Sequence, residues 1–163
     1  MAALDGSTVP DLPYASVRLD AGSAVDIPIS LSADGLAAGT YDGFIVIQGV
    51  QSNVTTRAPY WHAVTSGQPV HITTLQVSDG AQAGSTVSDA LLFRVTDENG
   101  LPVLNARPSV EPLSGGGSTV SVNQVGNVPY AYDAYVRLGA RPGANVFRIV
   151  VGTLTKDVTI NGQ

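Results

Sequence analysis

No cysteine occurs in the 163 residues, which excludes a disulfide framework and thiolate metal sites and leaves apolar burial to hold the chain together. Either a reducing or an oxidising compartment is compatible with that composition. Lysine occurs once, at Lys156, and eight basic against thirteen acidic side chains give a net charge of −5. A phosphate backbone would be repelled, so no nucleic acid is expected as a partner. No apolar run approaches the roughly 18 residues of a membrane-spanning helix. No basic-then-apolar start marks a signal peptide; Met1-Ala2 reads as the start of a piece of a longer polypeptide, upstream of which any export signal would lie. No ten-residue window sustains a 3.6-residue apolar period. The nearest candidate, Ala33 to Ala38, contains Gly35 and runs into Gly39, so it reads as a loop.

Glycine and proline are plentiful, at 18 and 10, and Val, Thr, Ile and Tyr fill much of the rest. That mixture favours short strands joined by many turns. The length suits one large or two small domains, and β-modules run to roughly 80–100 residues, so about one and a half are expected. The most informative stretch is Leu91 to Pro108, where an apolar run meets Asp97-Glu98-Asn99-Gly100-Leu101-Pro102-Val103. Asn99-Gly100 predicts two positive-φ positions of a hairpin corner, and Pro102 resists helix beyond it.

Residues 1–13 read as a partly ordered lead-in. From Tyr14 the pattern alternates. Val17 and Leu19 predict one strand, Asp20-Ala21-Gly22 a turn, and Val25, Ile27, Ile29 and Leu31 a second strand, placed at a sheet edge by Pro28. After the loop from Ser32 to Gly39, the unbroken centre of Thr40 to Gly49 predicts a strand covered on both faces. A polar turn at Gln51 to Asn53 leads to a further strand, Val54 to Val64, that carries the single Trp61.

Leu36, Gly39 to Ile47 and Arg57 to Trp61 resemble the C-terminal half of the fibronectin-III-like domain that follows the catalytic domain of many subtilisin-like serine proteases. The resemblance covers about 50 residues, and four strands stand here where such a sandwich uses about seven. It implies a partial fibronectin-III-like unit over 14–65. Ser66-Gly67-Gln68-Pro69 reads as a linker.

Beyond it, Val70 and Ile72, a turn at Asp79-Gly80, a long strand from Val87 to Asp97, Val103 to Val110, Val120 and Val122, Tyr132 to Leu138, Phe147 to Val151, and a last hairpin at Gly152 predict short strands at regular spacing. That is the pattern of an immunoglobulin-like β-sandwich over 66–163. Ser114 to Gly117 reads as a flexible crossing, and Ser121 and Asn123 as outward-facing. Phe93 to Val103, Gly115-Gly116-Gly117 and Leu138 to Phe147 are similar to bacterial Ig-like domains of the invasin and intimin type, with Gly126-Asn127-Val128-Pro129 in place of that family's second Asp-x-x-Gly corner.

Reactive chemistry has few candidates. A serine hydrolase needs an activated hydroxyl, a base and a group that orients the base. Only His62 and His71 could be the base; His71 is expected to face solvent from a strand and His62 to be structural or at the surface. No Gly-x-Ser-x-Gly elbow is present, nor the Gly-Thr-Ser-Met and His-Gly-Thr signatures of subtilisin-like enzymes. Asp97, Glu98 and Asn99 offer clustered oxygens, and such corners in stacked bacterial Ig modules can hold Ca²⁺, but so short a loop offers too few ligands alone, and capping of the turn's own amides is expected instead. Ser114-Gly115-Gly116-Gly117-Ser118 lacks the Lys and helix of a phosphate loop. Tyr130, Tyr132 and Tyr135, with Tyr60 and Trp61, offer a potential sugar platform, with Tyr132 inward and Tyr135 outward by parity.

The expectation is therefore an all-β accessory region without catalytic, cofactor or metal residues. It would belong to a larger extracellular or cell-surface bacterial protein, with the catalytic domain of its parent chain or another protein surface as partner. The alternative is an adhesion or glycan-binding module. Because four strands leave an apolar face wet, 14–64 are expected to self-associate or to fold onto the Ig-like domain.

Overall fold

A computed structural model describes residues 10–14, 16–32, 34–126, 128 and 130–163. The chain divides into two compact units, Met1–Val64 and Thr65–Gln163, and no helix occurs among the described residues.

The first unit is built on one hairpin. Strand β1 (Gly39–Gln48) pairs antiparallel with β2 (Thr55–Val64), from Gly39 opposite Val64 to Gln48 opposite Thr55. The turn expected at Gln51 to Asn53 is present: Gly49 N donates to Val54 O at 2.8 Å, and Asn53 takes a positive φ of 52°. The Tyr60 ring lies across its cross-strand neighbour Gly43, where a Cβ would stand 2.8 Å from the Tyr60 hydroxyl oxygen. Strand β1 is not covered on both faces as expected. Ile45 is 6% exposed, but Phe44, on the opposite face, is 41% exposed, because a two-stranded sheet has no second layer of its own over that side.

The strands expected around Val17–Leu19 and Val25–Leu31 are not formed. Their turn exists, with Ser23 N donating to Asp20 O at 3.0 Å, yet the flanking residues make only an isolated bridge between Asp11 and Ser30. Alternation creates a sided ribbon only where a neighbouring ribbon accepts its amides. Val17, Leu19, Val25 and Ile29 have none among the described residues and stay exposed, and Pro28 has no amide to give. Residues 1–9 of the lead-in, Ala15, and Ala33 of the Ala-rich loop lie outside the described residues.

The second unit is an immunoglobulin-like sandwich. Its strands are β3 (His71–Val77), β4 (Gly80–Ala81), β5 (Thr86–Thr96), β6 (Ser109–Ser114), β7 (Ser118–Gln124), β8 (Ala131–Arg137), β9 (Gly143–Val151) and β10 (Leu154–Gly162). One sheet runs β4-β10-β9-β6, the other β3-β5-β8-β7. Their inner faces supply Leu91, Phe93, Val95, Ala134, Val136, Phe147, Ile149, Val158 and Ile160, all buried. Each large apolar side chain removed from water contributes about 1.5–3 kcal/mol before entropy is counted. Phe93 and Tyr132 stack at 5.7 Å between ring centroids, and the Tyr132 hydroxyl donates to Ala106 O at 2.9 Å. Lys156 Nζ, on β10, reaches Ile72 O of β3 at 3.2 Å and ties the two sheets.

The chain beyond Pro102 does not continue as a strand from Val103 to Val110. Thr96 and Pro102 form a bridge, Val103 N donates to Val95 O, and regular pairing resumes only at Ser109. Strand β6 belongs to the opposite sheet, so residues 103–108 must cross the sandwich. Val120 points outward at 57% exposure and Ser121 is half-buried, because a bulge between Thr119 and Ser121 inserts one residue and breaks the parity of β7.

The loop Gly115–Gly117 is not slack. A Cβ on Gly139 would run into Gly115 O, and one on Gly117 would stand 2.8 Å from Arg137 O and 2.9 Å from the Phe147 ring. These glycines allow two sheet-crossing segments to touch backbone to backbone. Of the corner at Gly126-Asn127-Val128-Pro129, Asn127 and Pro129 lie outside the described residues; Val125 N donates to Ala131 O at 2.9 Å across it.

Candidate functional site

The strongest polar concentration is the corner after β5. Asp97 is fully buried. Its Oδ1 accepts from Asn99 N and Leu101 N, both at 2.9 Å, and its Oδ2 accepts from Ser66 N at 3.0 Å. Burial pushes the Asp97 carboxyl up, but the amides of Ser66 and Leu101, the Thr65 hydroxyl and the Asn99 amide outweigh it and hold the group below its ordinary value of 3.8. Ser66 Oγ also donates to Glu98 Oε2 at 2.8 Å. The acidic cluster therefore caps its own turn and pins the entry of the chain into the sandwich. Only Gly100 of the Asn99-Gly100 pair takes positive φ, at 78°, and Gly100 N donates to Asp97 O at 3.1 Å. The corner is thus a type I turn closed by a left-handed glycine, not the two-positive-φ turn read from the sequence. The capping by Asp97 selects this form, since its carboxylate holds the Asn99 amide in the right-handed part of the turn.

Asn145 is the other fully buried polar residue among those described. Its Oδ1 accepts from Gly139 N at 2.8 Å and its Nδ2 donates to Gly143 O at 3.2 Å, so it joins both ends of the β8–β9 crossing. On the surface, Arg148 grips Asp157 across β9 and β10 with two bonds, Nε to Oδ1 at 2.7 Å and Nη2 to Oδ2 at 2.9 Å. The hydrogen bond with Arg148 holds Asp157 below its usual value, and the same bond raises Arg148.

His71 is exposed at the start of β3, opposite Thr96. His62 is half-buried on β2, opposite Tyr41, and its Nε2 is buried without a hydrogen-bond partner. Among the described residues, no group of three His, Asp or Glu side chains is close enough to hold a metal ion. The tyrosines divide: Tyr132 is in the core as its parity predicts, Tyr135 is half-buried, and Tyr130 is exposed with a φ of 57°. Trp61 is 62% exposed on β2, directly opposite Asp42.

Two polar residues escaped the reading of the sequence. Arg94 and Asp133 stand on neighbouring strands, Arg94 opposite Ala131 and Asp133 opposite Leu92, and Arg94 Nε and Asp133 Oδ1 are both buried without a partner. Their outward parity within apolar strands was the available signal.

No family model matches the chain, and no curated protein matches it. Among solved structures, domains 4–9 of the surface layer protein SbsC align with 84% of this chain at 17% identity and a TM-score of 0.48; the chain covers 19% of that one. Domains 4 and 5 of the same S-layer protein align over 88% of each chain at 14% identity and a TM-score of 0.47. FdeC, an Escherichia coli adhesin, aligns with 77% of this chain, and 41% of its own, at 16% identity and a TM-score of 0.43.

Proposed function

We propose that this chain is a non-catalytic β-scaffold of a larger bacterial protein that works outside the cell or on its surface. In the finer form of this reading the parent is a subtilisin-like serine protease, and the chain spaces or positions its catalytic domain. The observation that carries the non-catalytic part is the use made of buried polarity. Asp97 and Asn145, the fully buried polar residues among those described, direct their bonded side-chain atoms at backbone groups, Asp97 at Ser66, Asn99 and Leu101 and Asn145 at Gly139 and Gly143. A catalytic carboxylate or amide needs an atom aimed at a substrate. The protease parent rests on the resemblance of Gly39 to Ile47 and Arg57 to Trp61.

Two measurements separate these parts. The full open reading frame should carry the Asp, His and Ser signatures of the protease upstream; tandem Ig-like repeats there would exclude that parent. The purified chain should leave peptide and ester substrates intact, and turnover abolished by His62→Ala or His71→Ala would overturn the scaffold reading itself.

A second reading, an adhesion or glycan-binding module, is favoured by one feature: Trp61 stands exposed opposite Asp42, an aromatic plane beside a carboxylate that suits a sugar ring and its hydroxyls. Binding on a glycan array that is lost in Trp61→Ala would select it.

A further inference from the structure

Among the described residues, strands β1, β2, β3, β4, β6 and β7 lie at sheet edges, and an open edge invites another chain unless something blunts it. Five of these edges are blunted. Arg57 and Pro59 lie in β2. Strand β3 is bulged between Thr74 and Gln76, β7 between Thr119 and Ser121, and β6 between Pro112 and Ser114, with Pro112 itself in the strand. Strand β4 has 2 residues. Strand β1 has none of these devices. Its 10 residues keep unbroken register with β2 and contain no Pro, Lys or Arg, a single charge at Asp42, and the apolar run Phe44-Ile45-Val46-Ile47.

The direction of its free amides follows from the turn. Gly49 N donates to Val54 O, so in the same register the odd-numbered residues of β1 bond to β2. The alternation of antiparallel pairing then turns the amides and carbonyls of Asp42, Phe44, Val46 and Gln48 away from β2.

We propose that this edge pairs with the same edge of a second copy of the chain, antiparallel about a two-fold axis at Ile45, joining two hairpins into one four-stranded sheet. Phe44 then stands opposite Val46 of the other copy, and Asp42 opposite its Gln48. All four positions belong to the outward-bonding set, so the register satisfies them reciprocally, as a two-fold interface requires. The two Asp42 carboxylates fall at opposite ends of the shared ladder, so no like charges meet. Apart from Asp42 the edge carries no charge that would select a different partner. The more covered faces of the two hairpins, each with Tyr41, Gly43 and Ile45, lie on the same side of the joined sheet. A two-stranded ribbon is marginal in water, whereas three or more strands with an apolar face are not.

The test combines light scattering across a concentration series with residue-resolved amide exchange on the whole chain. The mass should double as concentration rises, and the amides of Asp42, Phe44 and Val46 should slow in step. Phe44→Pro removes one outward amide and no bond to β2, and should leave a monomer at concentrations where the parent chain is dimeric. Should that variant unfold the hairpin, the double variant Asp42→Cys with Gln48→Cys carries the test: in a chain with no other cysteine it should oxidise to a covalent dimer, and Gln48→Cys alone should not. A monomer at every concentration with fast-exchanging Phe44 and Val46 overturns the proposal. So does a monomer in which those amides are slow, since a strand of the same chain then fills the edge. A dimer indifferent to Phe44→Pro that gives no cross-link places the interface elsewhere and overturns it too.

Discussion

At the scale of single residues, the fully buried polar side chains of Asp97 and Asn145 hold loops in shape. Asp97→Ala would leave the amides of Ser66, Asn99 and Leu101 without their acceptor. It should lower the melting temperature of the sandwich by several degrees, as read by circular dichroism. Because the folded-state value of Asp97 lies below 3.8, the carboxylate's contribution is fully present above that pH and is lost as pH falls through the lower, folded-state value. Urea midpoints measured from pH 6 down to pH 2 should therefore drop in the acid range, and Asp97→Asn should flatten that limb. Asn145→Ala strands the buried Gly139 amide and should cost about 1–3 kcal/mol in the same titration. Asp157→Asn, which removes the exposed partner of Arg148, should move the midpoint by no more than replicate scatter.

At the scale of elements, the inner strands and the edges obey different rules. Phe147 of β9 is fully buried and packs from one sheet toward the other. Phe147→Ala should cost about 3–5 kcal/mol by denaturant unfolding. The bulges at Leu75, Leu113 and Val120 carry exposed apolar side chains out of the ladders. Leu113→Lys should therefore leave stability within about 0.5 kcal/mol of the parent. Alternation in the sequence correctly put Val136, Phe147 and Ile149 inside, because an inner strand has partners on both sides that enforce its parity. Val120 departs from the parity of its alternating run because a bulge leaves no mark in the apolar pattern, only in the pairing with β8.

At the scale of the molecule, the units differ in how much of their chain is tied down. Unit Thr65–Gln163 closes two four-stranded sheets over one core. In the first unit, residues 16–29 have no ladder partner among those described. Limited trypsin digestion should cut first after the exposed Arg18, and mass spectrometry should find 65–163 intact long after that cleavage. Early cleavage after Arg94 or Arg148, both within strands of the sandwich, would contradict this ordering.

Composition and local pattern were enough to determine the all-β class, the Ig-like spacing from Val70 onward, the inward side of Tyr132 and the corner after Asp97, because turn residues and period-two alternation act within a few positions of one another. Only the tertiary structure decided whether an alternating segment became a strand, since Val17–Leu19 and Val25–Leu31 carry the same signal as β8 but have no neighbour to receive their amides. It alone decided that three consecutive glycines are a tight crossing rather than a loose one, because the requirement comes from Gly139 and Asn145, which lie more than twenty positions downstream of Gly115–Gly117. Long-range contact sets those demands, and a single segment does not record what will be brought against it.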